Sequence, residues 1–184
     1  MSAWHVLALC VGIVLGAGGA VAVGRRLAWQ RRRGAGPVRR ILLPFAGTAI
    51  SRRALDAALR LAQAEHATLM PALLATVPRA LPLDAPLPRQ CVSGMPVLEA
   101  IEQVAAHQDV AVDARVSRGR SPRHALELLL AQEPVDRVVV PATDGLSGDD
   151  LVWLLEKAPA EVVILRPDPH DRLKVSADAV AGHF

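Results

Sequence analysis

The sequence has few residues of the kinds that form covalent cross-links or metal sites. It contains only two cysteines; Cys10 lies in an apolar run and Cys91 in a region predicted to be a loop. We therefore expect no intramolecular disulfide, in agreement with a reducing compartment. The six histidines lack the spacing of metal ligands and have no cysteine pair beside them, so we predict no metal site.

Charged residues are absent from positions 3–23. At about 1.5 Å per residue, this run is long enough to cross the roughly 30 Å hydrocarbon layer of a bilayer. We predict a single transmembrane helix within residues 1–24. A cleaved secretory signal is the alternative, because small residues near Ala20 could serve a signal peptidase. The lack of a basic segment ahead of the apolar run argues against that alternative.

Arginines follow the apolar run directly, in a juxtamembrane linker predicted for residues 25–37. By the positive-inside rule, they place the C-terminal domain in the cytoplasm and the N-terminus outside. We expect a single-pass protein of the bacterial inner (plasma) membrane. Attraction to anionic lipid headgroups explains the cluster and the net charge of +3, so we expect no nucleic-acid partner. The cluster consists of Arg25, Arg26, Arg31, Arg32 and Arg33.

Small residues recur every four positions within the predicted span, at Gly12, Gly16 and Ala20. Such a row lets a second helix approach closely, because helices in lipid associate through backbone proximity and van der Waals packing. It predicts a packing face for another membrane protein or for a second copy of this chain. The alternative is that glycine is simply common in membrane helices.

From residue 38 to 167, apolar strand-like runs alternate with amphipathic helical runs. This order predicts an α/β domain with a five-stranded, mostly parallel, doubly wound sheet and right-handed crossovers. The last residues, 168–184, are weakly patterned and predicted to be a tail that is loosely ordered or docked on a partner. The predicted strands cover 41–45, 68–77, 110–116, 137–140 and 162–165. The first predicted helix begins after Ser51, and the other three cover 97–105, 122–133 and 149–157.

Several local signals refine this pattern. Ser51 and Ser121 are predicted helix N-caps, and Ser121 is followed by a favourable first-turn proline. The proline-rich segment 78–96 is predicted to be a long loop without regular structure. The period-two alternation of 110–116 predicts an edge strand with one face exposed to solvent. The β-branched run 162–165 predicts a strand that is covered on both faces.

Four segments resemble the universal stress protein family in their order and spacing. Residues 41–48, Ile-Leu-Leu-Pro-Phe-Ala-Gly-Thr, resemble its opening strand and turn, and 51–62 its first helix. Residues 116–122 resemble its third strand with a glycine turn into a helix, and 158–166 its closing strand. The resemblance implies strand order 3-2-1-4-5, and many family members bind ATP at the carboxyl ends of strands one and four.

Both elements of that ATP site are altered here. The family's acidic residue at the end of strand one corresponds to Ala46, and its Gly-x2-Gly-x9-Gly-Ser/Thr loop corresponds to the shorter segment 142–149. If Asp149 lies at the helix N-terminus where phosphates settle, its carboxylate can accept the free N–H groups itself. The degenerate pocket positions are Ala46, Gly47, Ala142, Gly145, Gly148 and Asp149.

Nearby Asp144 and Asp150 would add repulsion toward a polyphosphate. At about 4 Å and an effective dielectric constant of about 20, each like-charge contact costs about 4 kcal/mol, enough to erase a micromolar site. The alternative is that these aspartates are only turn and cap residues. Both interpretations predict a domain without a bound cofactor.

Other candidate chemistry is weak. Ser147 lacks the full Gly-x-Ser-x-Gly elbow of hydrolases and has no general base placed by the sequence. The basic cluster of Arg118, Arg120 and Arg123 could bind a phosphorylated or acidic partner, or could simply be a solvated helix start.

These observations predict a non-catalytic, membrane-anchored module that acts through protein contacts. It would serve as an accessory or regulatory subunit of a membrane protein complex, or as a homodimer. One alternative is a membrane-tethered stress sensor that binds ATP or AMP through a rearranged loop. A further alternative is an enzyme acting on a small phosphorylated metabolite, although nothing in the chain supplies its nucleophile or base.

Overall fold

The computed structural model describes residues 39–86, 88–142, 145–166 and 172–174, all within the unit Val38–Phe184. The predicted transmembrane helix, with its small-residue face, and the arginine cluster of the linker lie outside these residues. Among the residues that are described, no helix combines the length and the apolar character needed to cross a membrane.

Strands and helices alternate along the described chain. Their bounds are β1 Arg40–Phe45, β2 Ala49–Ser51, α1 Arg52–Glu65, β3 Thr68–Thr76, α2 Pro88–His107, β4 Arg115–Gly119, α3 Pro122–Gln132, β5 Arg137–Pro141, α4 Gly148–Lys157, β6 Glu161–Leu165 and β7 Arg172–Lys174.

Five of these strands form one parallel sheet in the order β4-β3-β1-β5-β6. If these five strands alone are numbered 1 to 5 along the chain, their order in the sheet is 3-2-1-4-5, which is the order that the family resemblance implied. The predicted α/β class and parallel sheet are therefore confirmed. The structure adds a detail that the sequence did not predict: β2 and β7 form a separate two-stranded antiparallel sheet.

The sheet is buried on both faces because its side chains alternate between two apolar clusters. Ile41, Leu43 and Phe45 pack with α1 and α2, whereas Leu42 and Met70 pack with α3 and α4. All five side chains are completely buried. Each such side chain contributes about 1.5–3 kcal/mol relative to leaving it in water. This two-sided burial explains why β1 is a nearly continuous apolar run.

The predicted helix starts at Ser51 and Ser121 are confirmed. The Ser51 hydroxyl accepts a hydrogen bond from the Ala54 N–H at 3.2 Å. The Ser121 hydroxyl accepts from the His124 N–H at 3.1 Å, with Pro122 as the first helical residue. Both bonds satisfy N–H groups that a helix leaves without an internal partner.

The prediction of an irregular loop over 78–96 was wrong in its second half, because α2 begins at Pro88 and continues through Pro96. Proline at the first helical position loses nothing, since that N–H has no helical partner. Packing supports the rest: a Cβ added at Gly94 would lie 2.3 Å from Leu73 Cδ2, and Val97 is fully buried. Cys91 consequently lies in a helix and not in a loop.

The predicted strand 110–116 begins later than expected, and a proline explains the shift. Leu69 accepts from the Asp113 N–H and donates to the Ala111 carbonyl, forming an isolated bridge with Val112. Pro71, two residues on, faces the same neighbour but has no N–H to donate. Regular pairing resumes at Arg115 in the same register. β4 is an edge strand, as predicted.

The prediction that 162–165 is covered on both faces holds in part, because Val163 and Leu165 pack with the α1–α2 cluster and Val162 packs with the α3–α4 cluster. β6 pairs only with β5 and forms the second edge of the sheet. Its Ile164 side chain is 37% exposed. A β-branched run is therefore insufficient to separate an edge strand from a central one.

Candidate functional site

The candidate site lies where the sheet reverses its direction of growth. From β1 the chain builds toward β3 and β4, then crosses back to add β5 and β6 on the other side. Ligands of doubly wound folds bind in the crevice at the carboxyl ends of two such strands. We call the space between the carboxyl ends of β1 and β5 the switch-point crevice.

Backbone pairing between β1 and β5 stops well before either strand ends. It covers only Ile41 with Arg137 and Leu42 with Val138. On its other side, β1 pairs with β3 along its whole length, from Arg40 to Phe45. Backbone pairing between the two central strands therefore ends before their carboxyl ends.

Two prolines account for the early end of this pairing. Arg40 faces β5, because its carbonyl accepts from the Asp136 N–H at 3.0 Å and its N–H donates to the Asp136 carboxylate at 2.9 Å. Alternate residues face the same neighbour, so Pro44 also faces β5 and has no N–H to give. The Ala142 N–H donates to Leu165 in β6, which turns Pro141 toward β1. Both donors that would extend the ladder are thus missing.

Gly145, in the loop after β5, lies close to Ala46 at the end of β1. Gly145 has a left-handed backbone with φ of 83°, and a Cβ added to it would lie 2.6 Å from the Ala46 Cβ. The next residue, Leu146, is only 6% exposed and packs with Val140 and Leu154. Two predicted pocket positions, Ala46 and Gly145, are therefore in close contact.

The N-terminus of α4 is capped by its own side chains. Ser147 is the N-cap, and its hydroxyl accepts from the Asp150 N–H at 3.2 Å. The Asp150 carboxylate accepts from the Ser147 N–H at 2.9 Å and from its hydroxyl at 2.8 Å. The expected self-filling acid is thus Asp150 and not Asp149, which lies exposed in the first turn. Ser147 has the role of a helix cap, which the sequence analysis did not assign to it.

The remaining pocket positions lie around this contact. Gly47 has φ of 91° and Gly148 begins α4; a Cβ on either would meet nothing within 4 Å. Ala142 is half-buried at the end of β5. Asp144 lies outside the described residues. The sequence analysis did not predict the close contact between Ala46 and Gly145.

The predicted basic cluster is divided between two tasks. Arg120 Nη1 donates to the carbonyl oxygens of Pro78 at 2.6 Å and Leu81 at 2.8 Å, and Arg118 Nη1 donates to that of Asp84 at 3.1 Å. These two arginines hold the proline-rich loop against the end of β4. Arg123 instead lies over the Trp153 ring, 5.1 Å from its centroid, in a cation–π contact.

The opposite, amino edge of the sheet carries an ion-pair network that the sequence analysis missed. Arg137 contacts both Glu65 and Glu161, and Arg39 also reaches Glu65 at 3.2 Å. Burial raises the pKa of the Glu65 carboxyl, but hydrogen bonds from Arg137 and Arg39 outweigh it and lower the pKa below its usual value. A hydrogen bond to Glu161 raises the pKa of Arg137. These residues tie α1, β5 and β6 together.

One face of the molecule exposes apolar side chains. On α4, Val152 is 55% and Leu155 61% exposed, whereas Leu154 is fully buried. Ile164 of β6 lies on the same side of the sheet, because its alternate neighbour Val162 packs with the α3–α4 cluster. We call Val152, Leu155 and Ile164 the α4–β6 surface. Val152 and Leu155 lie one turn apart on α4, and neighbouring exposed apolar residues of this kind are typical of contact sites.

Comparison with known proteins identifies the fold. No model of a known protein family matches the sequence, and no curated protein matches it. The universal stress protein UspA from Lactobacillus plantarum aligns over 72% of this chain and 100% of its own, with a TM-score of 0.57 and 20% identity. A universal stress protein in complex with cAMP aligns over the same shares, with a TM-score of 0.53 and 19% identity. The chain has the fold of these proteins.

Proposed function

We propose that this chain is a membrane-anchored, non-catalytic universal-stress-like module that acts through protein–protein contacts. It would be an accessory or regulatory subunit of a membrane protein complex. The contact between Gly145 and Ala46 carries this proposal, because it lies at the end of β1, where doubly wound folds hold their ligands, and leaves no room there even for a Cβ on Gly145. The Ser147–Asp150 capping box also supports the proposal, because it bonds N–H groups at the start of α4 to side chains of the same helix end.

The membrane anchor rests on the apolar run at 3–23 and the arginines that follow it. An anchor of this kind confines the domain to the inner membrane, where a weak contact with another membrane protein becomes effective through high local concentration. The row of small residues in the span would provide a second contact with the same partner.

The α4–β6 surface is the best candidate for the cytoplasmic contact. Burying a side chain such as Leu155 contributes about 1.5–3 kcal/mol, which its 61% exposed fraction leaves largely unused in the isolated chain. A second copy or a different membrane protein could cover it.

Co-purification after mild detergent extraction of native membranes tests this function. We expect the wild-type chain to elute with a stoichiometric partner, and Leu155→Asp to lose that partner while remaining folded. Leu81→Asp is the matched control, since Leu81 is also an exposed leucine, at 42%, but lies in the loop after β3. Recovery of free monomer from wild-type membranes would contradict the proposal.

A nucleotide-responsive sensor is the second candidate, and the early end of pairing between β1 and β5 favours it. A ligand could bind at these strand ends if the loop at Gly145 moves away, and one protein of the same fold is described in complex with cAMP. Calorimetric titration of the full-length protein with ATP, AMP and cAMP in the presence of magnesium separates the two candidates. Saturable heat with any of them would favour the sensor; its absence favours the contact module.

A further inference from the structure

The edge strand β4 leaves backbone groups open on its outer side. The Asp113 N–H donates to β3, and the Gly119 carbonyl accepts from the residue directly after β3. Odd-numbered residues of this segment therefore face β3 and even-numbered ones face away. The N–H and carbonyl groups of Val116 and Arg118 thus point outward. Within the described residues β4 pairs only with β3, so these outward groups have no strand partner there.

Apolar side chains lie exposed beside this open edge. Val116 is the register partner of Leu73 in β3, and its side chain is 39% exposed. Gly94 of α2 packs against the same Leu73, and the next residue, Met95, is 40% exposed. Val116 and Met95 therefore both adjoin Leu73, on the side of the sheet that α1 and α2 cover. A strand added to β4 would shield them from water.

The same face of β4 carries a positive charge. Side chains two positions apart lie on the same face of a strand, so Arg118 is on the face of Val116. Arg118 Nη1 donates to the Asp84 carbonyl at 3.1 Å, and a carbonyl oxygen does not neutralise the guanidinium. The ion pairs found among the described residues do not include Arg118. An acidic side chain on an added strand could pair with it.

We propose that the outer edge of β4 binds an extended segment of another protein by strand addition, and that this segment carries an acidic and an apolar residue two positions apart. The outward groups of Val116 and Arg118 supply the main-chain hydrogen bonds, and the two side chains select the apolar and the acidic residue. A second copy of β4 is disfavoured, because it would bring a second Arg118 to the same edge. This site goes beyond the proposed function, since β4 and the α4–β6 surface lie at opposite edges of the sheet.

Selection of a random seven-residue peptide library on the full-length protein in detergent micelles tests this site. We expect the enriched peptides to carry an aspartate or glutamate two positions from a large apolar residue more often than the unselected library does. The affinity of the most enriched peptide is then measured by fluorescence anisotropy. A selection that enriches no peptide, or only peptides without this acidic pattern, would overturn the proposal.

Two substitutions of Val116 separate main-chain pairing from side-chain contact. The Val116 N–H faces away from β3, so Val116→Pro removes an outward donor and leaves the bonds to β3 in place. Val116→Ala shortens the side chain but keeps the donor. We expect the selected peptide to bind Val116→Pro about tenfold more weakly than Val116→Ala, as for one lost hydrogen bond. Equal affinities would show that the peptide does not add as a strand.

Arg118→Gln tests the charge, and it also serves if Val116→Pro fails to fold. We expect it to weaken binding of the selected peptide several-fold at low salt, with a smaller effect at high salt. Arg123→Gln is the matched control, because Arg123 is an exposed arginine of α3 that lies over Trp153; it should leave the affinity unchanged. Equal affinities of Arg118→Gln and Arg123→Gln would refute the acidic partner. Partner co-purification is a separate assay, so this site and the contact function can fail independently.

Discussion

Replacing Gly145 by alanine should destabilise the domain in two separable ways. At a φ of 83° a side chain costs about 1 kcal/mol from backbone strain alone. The added Cβ would also lie 2.6 Å from the Ala46 Cβ, and forcing an extra methyl into packed space costs about 1–3 kcal/mol. We therefore expect a total of about 2–4 kcal/mol, or roughly 5–12 °C in Tm for a domain of this size.

Two other glycines of the same region provide matched controls. Gly47→Ala has the backbone strain, at a φ of 91°, but no atom within 4 Å of the new Cβ, so it should cost about 1 kcal/mol. Gly148→Ala has neither penalty and begins α4; its effect should lie within about 0.5 kcal/mol of zero. The difference between Gly145→Ala and Gly47→Ala isolates the contact with Ala46.

Urea or thermal unfolding followed by circular dichroism measures all three variants. The double variant Ala46→Gly/Gly145→Ala completes a thermodynamic cycle, and it should recover the contact part of the loss, about 1–3 kcal/mol. If Gly145→Ala costs no more than Gly47→Ala, the loop after β5 does not rest on the end of β1, and the argument from this contact is refuted.

Two further variants test the supporting parts of the fold. The pKa of Glu65 is lower in the folded state than in the unfolded state. Its ion pairs therefore stabilise the domain fully at pH values above its pKa in the unfolded state. This stabilisation is lost as the pH falls through its pKa in the folded state. Glu65→Gln should thus lower the free energy of unfolding by about 1–3 kcal/mol near pH 7 and by much less in acid. Glu161→Gln is the control: its side chain is 62% exposed, so it should lower this free energy by less than about 1 kcal/mol. A loss of stability in Glu65→Gln that does not change with pH would contradict this. Arg120→Gln should speed tryptic cleavage after Arg79 several-fold, because it releases the carbonyl groups of the proline-rich loop after β3. Arg123→Gln is the control and should leave the cleavage rate unchanged. Equal cleavage rates in the two variants would show that Arg120 does not hold the loop.

Much of the fold could be predicted because its signals are local. Apolar runs marked the five strands of the parallel sheet, and Ser51 and Ser121 marked two helix starts through their hydroxyl groups. The errors arose where distant residues decide the outcome. Pro96 reads as a helix breaker, yet the helix continues because Gly94 packs against Leu73, a contact without a sequence pattern.

The sequence did not show how the residues of the candidate site meet. The alignment put Ala46 and Gly145 at the same edge of the sheet, whereas their contact depends on a loop conformation that periodicity does not encode. The capping acid was assigned to Asp149 although Asp150 takes that role, since a shift of one residue in a helix start changes which carboxylate folds back. Pairing of β7 with β2 has no signal at all, because strands of three residues are too short to show alternation.

The nucleotide content of the protein purified from native membranes tests most directly whether the contact at Gly145 excludes a nucleotide from these strand ends. Acid extraction followed by chromatography would measure adenine nucleotides per chain without adding any ligand. We predict none at a stoichiometric level, because the loop at Gly145 rests against Ala46. A stoichiometric adenine nucleotide released from the purified chain would contradict that claim.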